Sequence, residues 1–112
     1  MCAIAGILNL KMTEDTIEKM HQTMRRRGPD AKGVFRDGDT TLLHARLAVI
    51  DPDGGQQPMT FCFEGEEYTI VYNGELYNTE EIRKDLIKLG YEFTGHSDTE
   101  VLLTAFIEWG EC

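Results

Sequence analysis

The chain has 112 residues, enough for one domain with one buried core. Hydrophobic residues make up 41% and charged residues 28%, a soluble globular balance, and Gly with Pro is too sparse for a low-complexity or collagen-like chain. Twenty acidic residues against eleven basic ones give a net charge of -9, which argues against a nucleic-acid backbone or an anionic membrane surface as partner.

Apolar runs are shorter than the ~20 residues a bilayer requires. The N-terminal apolar run lacks a preceding basic region and ends at Asn9, Leu10 and Lys11, so it does not read as a secretory signal. A cytoplasmic location is the expectation. Cys2, Cys62 and Cys112 are an odd, scattered set. No Cys-x-x-Cys pair and no spaced His pair accompanies them, so reduced thiols and no metal site are expected.

In chain order, residues 2–9 are small or β-branched and predict a buried first strand. Thr13 predicts an N-cap, with Glu14 and Asp15 in the first helical turn. Ile17, Met20, His21 and Met24 form one helical face, and Gly28-Pro29 ends the helix. Strands are predicted over 33–36 and 40–50, with Asp37-Gly38 between them as a hairpin signal. In the second strand Leu43, Ala45, Leu47 and Val49 share an apolar face, leaving His44 and Arg46 on a polar one. Residues 51–58 read as a loop. Strands over 59–63 and 68–72 flank a turn at Glu64-Gly65-Glu66. Asn78 with Glu81 predicts a capping box for a helix with Ile82, Leu86 and Leu89 on its face and Gly90 at its end. Ser97 with Glu100 predicts a second box, for a helix carrying Val101, Leu102, Ala105, Phe106 and Trp109. The fold class that follows is α+β.

The chemistry-bearing residues are few. Cys2 directly follows the initiator Met, and a side chain this small permits methionine removal. An N-terminal Cys carries a thiol (~8.5) and an amine (~7.7–8.0) on one carbon, so the amine can serve as base for its own thiol. The alternative is a buried structural cysteine. Asn73-Gly74 follows a strand but leads into a helix instead of a second strand. A side-chain amide beside a glycine N–H supplies two donors at one point, which is what an oxyanion hole needs. Arg46 offers a fork for a carboxylate, or an ion pair on a strand surface. Asp98 at a helix start either completes the cap or holds an ammonium. His44 opens a rival reading, a Cys2–His44 thiol hydrolase dyad. His21 and His96 read as structural or solvent-facing, and Glu64, Glu66 and Glu67 as a solvated turn.

Taken in order, MCAIAG at 1–6, Arg27-Gly28-Pro29-Asp30, HARLAVID at 44–51, Gln57-Pro58-Met59, YNGELYN at 72–78 and GHSDTEV at 95–101 resemble a known family along the whole chain. The chain resembles the N-terminal glutaminase domain of glutamine-hydrolysing asparagine synthetases. These are class II glutamine amidotransferases of the N-terminal-nucleophile hydrolase superfamily. The resemblance implies a four-layer αββα sandwich, of which 1–112 would be the N-terminal part only. It implies that Cys2 attacks the glutamine carboxamide, that Asn73 and Gly74 form the oxyanion hole, and that Arg46 holds the α-carboxylate. Glu75 and Asp98 would hold the α-ammonium, backbone groups of Leu47, Ala48 and Val49 would line the site, and the 27–30 loop would pack beside it. The partner implied is glutamine, with no cofactor for its hydrolysis. ATP and Mg would belong to a synthetase domain that these residues do not contain. Position 3 is Ala where the family usually has Gly. A fragment with unpaired sheet edges is expected to form homo-oligomers, and one that keeps Met1 is expected to be inactive.

Overall fold

The computed structural model describes residues 2–47 and 55–111. β1 (Ala3–Ile7), β2 (Ala31–Asp37) and β3 (Thr40–Arg46) form an antiparallel sheet in the order β1-β3-β2. β4 (Met59–Phe63) and β5 (Glu66–Ile70) form an antiparallel hairpin. α1 (Glu14–Met24) follows β1, and α2 (Thr79–Lys88) and α3 (Asp98–Trp109) follow the hairpin. This is a mixed fold built from antiparallel sheets, as the α+β expectation requires. None of the described helices is long and apolar enough to cross a membrane.

β1 is shorter than the run of small residues suggested, and Cys2 lies just outside it. Asn9 adopts φ 62°, a left-handed conformation that Asn tolerates better than most residues, and turns the chain towards α1. Thr13 caps α1 as expected, its hydroxyl accepting the Thr16 N–H at 3.2 Å. Ile17 and His21 are the buried positions of α1, which packs on β3. His21 Nε2 lies 3.1 Å from the Gly33 carbonyl and ties the helix to β2. Lys32–Glu18 (2.8 Å) and Arg36–Glu14 pairs also join β2 to α1. Both are exposed and add little stability.

β2 and β3 meet through Gly38-Asp39, with Gly38 at φ 58° in the first turn position. β3 ends at Arg46 among the described residues, and the predicted positions 48–50 of that strand lie outside them, as do 51–54 of the predicted loop. The β4–β5 register corrects the sequence reading by two residues. Glu64 (φ 52°) and Gly65 (φ 81°) are both left-handed and make a two-residue turn that pairs Phe63 with Glu66. Glu66 and Glu67 therefore enter the strand, on a surface exposed enough to carry them.

The caps of α2 and α3 differ. The Asn78 side chain makes no cap bond, and its backbone (φ -98°, ψ 31°) is not the extended conformation a capping box needs. The Thr79 hydroxyl donates instead to the Leu76 carbonyl. The end of α2 is as expected: Gly90 (φ 102°) donates to the Ile87 carbonyl and Tyr91 to that of Leu86, a Schellman closure. Ser97 caps α3, accepting the Glu100 N–H, while the Glu100 carboxylate accepts the Thr94 and Gly95 N–H groups. α3 packs on α2, β4 and β5. The buried apolar residues are Ile17, Leu43, Ala45, Leu86, Val101 and Leu103, with β3 and α3 each contributing a pair.

Candidate active site

β3 is buried on both faces. His44 is 1% and Arg46 6% exposed, so Arg46 does not lie on a strand surface as that alternative expected. A second layer covers the face that alternation marked as polar: the main chain at Gln57 and Pro58 packs against β2. A methyl group at Gly33 would lie 2.0 Å from the Gln57 carbonyl oxygen, so only glycine allows this approach. The Gln57–Pro58 peptide is cis. A cavity of about 370 Å³ opens here, lined by His44, Arg46, Lys32 and Gln57 among others.

Cys2 sits at the end of β3. The β1–β3 register pairs Ala3 with Ala45, which delivers the half-buried Cys2 side chain to Leu47. The Leu47 N–H donates to Cys2 Sγ at 3.4 Å, and Sγ lies 3.8 Å from the Leu47 carbonyl. The 28–30 segment closes the same end of β3: Pro29 bridges to Arg46, and the Asp30 N–H donates to the Arg46 carbonyl at 2.8 Å. Cys2, Arg46, Leu47 and the Gly28-Pro29-Asp30 turn are thus one cluster. Ala48 and Val49 lie outside the described residues.

A second cluster surrounds Tyr72. Asn73, Gly74 and Glu75 are exposed in the segment between β5 and α2. The Tyr72 ring folds over Gly74, where a methyl group would lie 2.8 Å from its hydroxyl oxygen. Asp98, the first residue of α3, accepts the Leu76 N–H at 3.1 Å. Burial raises the Tyr72 phenol above its ordinary range, and the negative charges of Asp98 and Glu75 push the same way. The two carboxylates expected to hold an ammonium therefore share one neighbourhood.

The clusters meet at residues that local sequence patterns gave no reason to join. Gln57 links Tyr72 to Thr99 of α3 through its side-chain amide. The Tyr72 backbone lies close enough to His44 to favour the protonated ring somewhat. Neither ring nitrogen has a partner among the described residues. His44 and Cys2 are thus not hydrogen-bonded to each other. Tyr72 and Gln57 both stood in the quoted motifs; nothing local distinguished them from ordinary strand and loop residues.

Burial holds the His44 imidazole below its usual range, and the Arg46 charge adds to the effect. The consequence for stability has a definite sign. Above about 6.5 the ring is neutral in folded and unfolded chains alike. Below that the unfolded chain takes up a proton that the folded chain resists, so stability falls as pH drops from there towards the depressed folded value. Urea midpoints between pH 7.5 and 5.5 should show this slope, and His44→Gln should reduce it. Parallel slopes for the two proteins would show that His44 is not the responsible group.

The model of the glutamine amidotransferase domain matches residues 1–112. The chain is 46% identical over 115 residues to asparagine synthetase [glutamine-hydrolyzing] 3 of Bacillus subtilis (strain 168), covering 99% of this chain and 19% of that protein. It is 40% identical over 117 residues to asparagine synthetase [glutamine-hydrolyzing] 1 of the same organism, covering 99% and 18%. A probable asparagine synthetase [glutamine-hydrolyzing] of Dictyostelium discoideum is 35% identical over 116 residues, at 99% and 20% coverage. The chain spans about a fifth of the length of these relatives. With the family model matched from end to end, this chain belongs to the glutamine amidotransferase domain family.

Proposed function

We propose that the chain hydrolyses glutamine to glutamate and ammonia through Cys2, as the glutaminase part of a glutamine-hydrolysing asparagine synthetase. The observation that carries the reading is Cys2 Sγ held at the Leu47 N–H, at the end of β3 that also bears the buried Arg46. Arg46 takes the α-carboxylate of glutamine, and Asp98 with Glu75 takes the α-ammonium. Once Met1 is removed, the free α-amine of Cys2 accepts the thiol proton and sulfur attacks the carboxamide carbon. The oxyanion is met by the Asn73 side-chain amide and the Gly74 N–H. The Cys2 α-ammonium so formed returns its proton to the departing nitrogen, ammonia leaves, and a glutamyl thioester remains. Water, deprotonated by the same amine, attacks the thioester, and glutamate departs as the thiol is re-formed.

The arrangement of layers is part of the proposal. α1 on β3, and α3 on the β4–β5 hairpin, suit a four-layer αββα sandwich of the N-terminal-nucleophile type, of which residues 1–112 form a part. ATP and Mg would serve chain outside these residues, in amidating aspartate with the ammonia. The described residues include no cluster of three or more His, Cys, Asp or Glu suited to a metal. Homo-oligomers through the outer edges of β1 and β2, and a cytoplasmic location, belong to the same proposal.

The test is a Met1-free full chain incubated with glutamine. Glutamate and ammonia should appear in equal amounts and vanish with Cys2→Ala; turnover that survives Cys2→Ala would overturn the mechanism. Arg46→Ala should act mainly on KM, because the α-carboxylate is present in ground and transition states alike. A desolvated charge pair of this kind is worth roughly 2–4 kcal/mol, or ~30-fold to ~10³-fold in KM. An unchanged KM would remove Arg46 from the substrate site.

A further inference from the structure

Gln57 touches neither the reacting atoms nor the substrate in the proposed reaction, yet its side chain touches both halves of the site. Its Oε1 accepts the Tyr72 N–H at 2.5 Å, and its Nε2 donates to Thr99 Oγ1 at 3.1 Å. Tyr72 immediately precedes Asn73-Gly74, and Thr99 immediately follows Asp98. The amide orientation is fixed by its surroundings: a backbone N–H can only donate, so the atom facing Tyr72 must be the oxygen. Both ends of the clamp are anchored. The Gln57 main chain is pressed against Gly33 of β2, and Thr99 is 3% exposed in the first turn of α3. Asp98 makes a second tie between the same turn and the same segment, at Leu76.

We propose that Gln57 is a positioning residue for glutamine hydrolysis, holding the oxyanion donors of Asn73-Gly74 in register with Asp98. The inference rests on the proposed function and adds a requirement to it. Oxyanion donors act only when placed within a few tenths of an ångström, and a misplacement of about 1 Å costs on the order of 10²-fold in rate. A primary amide suits this place because it offers an acceptor to Tyr72 and a donor to Thr99 from one planar group.

The experiment uses the Met1-free full chain. Gln57→Met keeps the length of the side chain and removes both bonds. It should lower kcat about 10- to 100-fold while KM moves less than about threefold. Gln57→Glu should restore kcat to within about fivefold of wild type, because a carboxylate accepts the Tyr72 N–H and the Thr99 hydroxyl can turn to donate. Thr99→Val should lower kcat by less than Gln57→Met, and the double variant should lose less than the product of the two single losses. A Gln57→Met kcat within twofold of wild type overturns the proposal, as does a loss that Gln57→Glu fails to restore. Should Gln57→Met not fold, a Thr99→Val kcat equal to wild type overturns it. Hydrogen exchange at the Tyr72 amide gives a readout that needs no turnover. That amide should be protected in wild type and Gln57→Glu and exposed in Gln57→Met; equal protection in all three overturns the clamp. Absence of glutamate from the wild type would instead sink the glutaminase reading, so the two failures are separable.

Discussion

A chain that retains Met1 should not turn over glutamine, and removing Met1 should raise the rate by ~10²–10⁴-fold, the usual contribution of a positioned general base. In the unprocessed chain the Cys2 nitrogen is a peptide amide. Its lone pair is delocalised into the Met1 carbonyl, so it cannot take the thiol proton near neutral pH. His44, a buried imidazole on the adjacent strand, is not hydrogen-bonded to the thiol, since neither ring nitrogen has a hydrogen-bond partner among the described residues. What the fold does supply to sulfur is the Leu47 N–H at 3.4 Å, a donor that can remove no proton. After processing, the amine and the thiol share one carbon, and turnover should rise with pH through the ordinary amine range of ~7.7–8.0. An aminopeptidase that releases Met1 provides the measurement, with mass spectrometry confirming the loss and glutamate formation followed before and after. Equal rates from the two forms would reject a mechanism in which the α-amine is the base.

The parts of this protein written in local patterns were legible in its sequence. Thr13 and Ser97 announce α1 and α3 because a hydroxyl cap acts within one helical turn. Gly90 announces the end of α2 because only a left-handed residue closes that helix with both bonds of its motif. Asn78 misled, since a cap residue at the right spacing does not fix its own backbone angles, and no side chain caps that turn among the described residues. The β5 boundary misled for a related reason. Two left-handed residues at 64 and 65 tighten the turn, and only pairing reveals that register.

The site divides along the same line. Cys2, Asn73-Gly74, Arg46 and Asp98 each carried a chemical signal that was weak alone, and the family resemblance joined them. Strand alternation placed His44 and Arg46 on an outer face because it sees one sheet at a time. The second layer at Gln57-Pro58 buries them, and that layer follows from a close approach to Gly33 some two dozen residues earlier in the chain. Gln57 itself was unreadable as a functional residue for the same reason. Its amide joins Tyr72 to Thr99, positions brought together only by the docking of α3 beside the hairpin.

Gly28→Ala should be among the most damaging single-methyl changes in the chain, and its effect should reach the substrate site. A methyl at position 28 would lie 2.2 Å from both the carbonyl carbon and the oxygen of Ala45, and 2.5 Å from the Arg46 nitrogen. All three are main-chain atoms of the central strand β3, so no side chain can swing aside to make room. The 28–30 turn must lift off the strand, which breaks the Pro29–Arg46 bridge and the 2.8 Å bond from the Asp30 N–H to the Arg46 carbonyl. Overpacking costs about 1–3 kcal/mol and a lost hydrogen bond about 1 kcal/mol more, a large share of a domain's ~5–15 kcal/mol. For a chain of this size the melting temperature should fall by roughly 10–20 °C. The lifted turn also frees the end of β3 that holds Arg46 and Leu47, so any folded Gly28→Ala protein should bind glutamine more weakly as well as melt earlier. Gly38→Ala is the control: φ at 38 is 58°, yet nothing lies within 4 Å of an added methyl there, so its cost is confined to backbone strain in a distant turn. A Gly28→Ala melting temperature within 2 °C of wild type, or a loss no larger than that of Gly38→Ala, would refute the close packing of the 28–30 turn on β3.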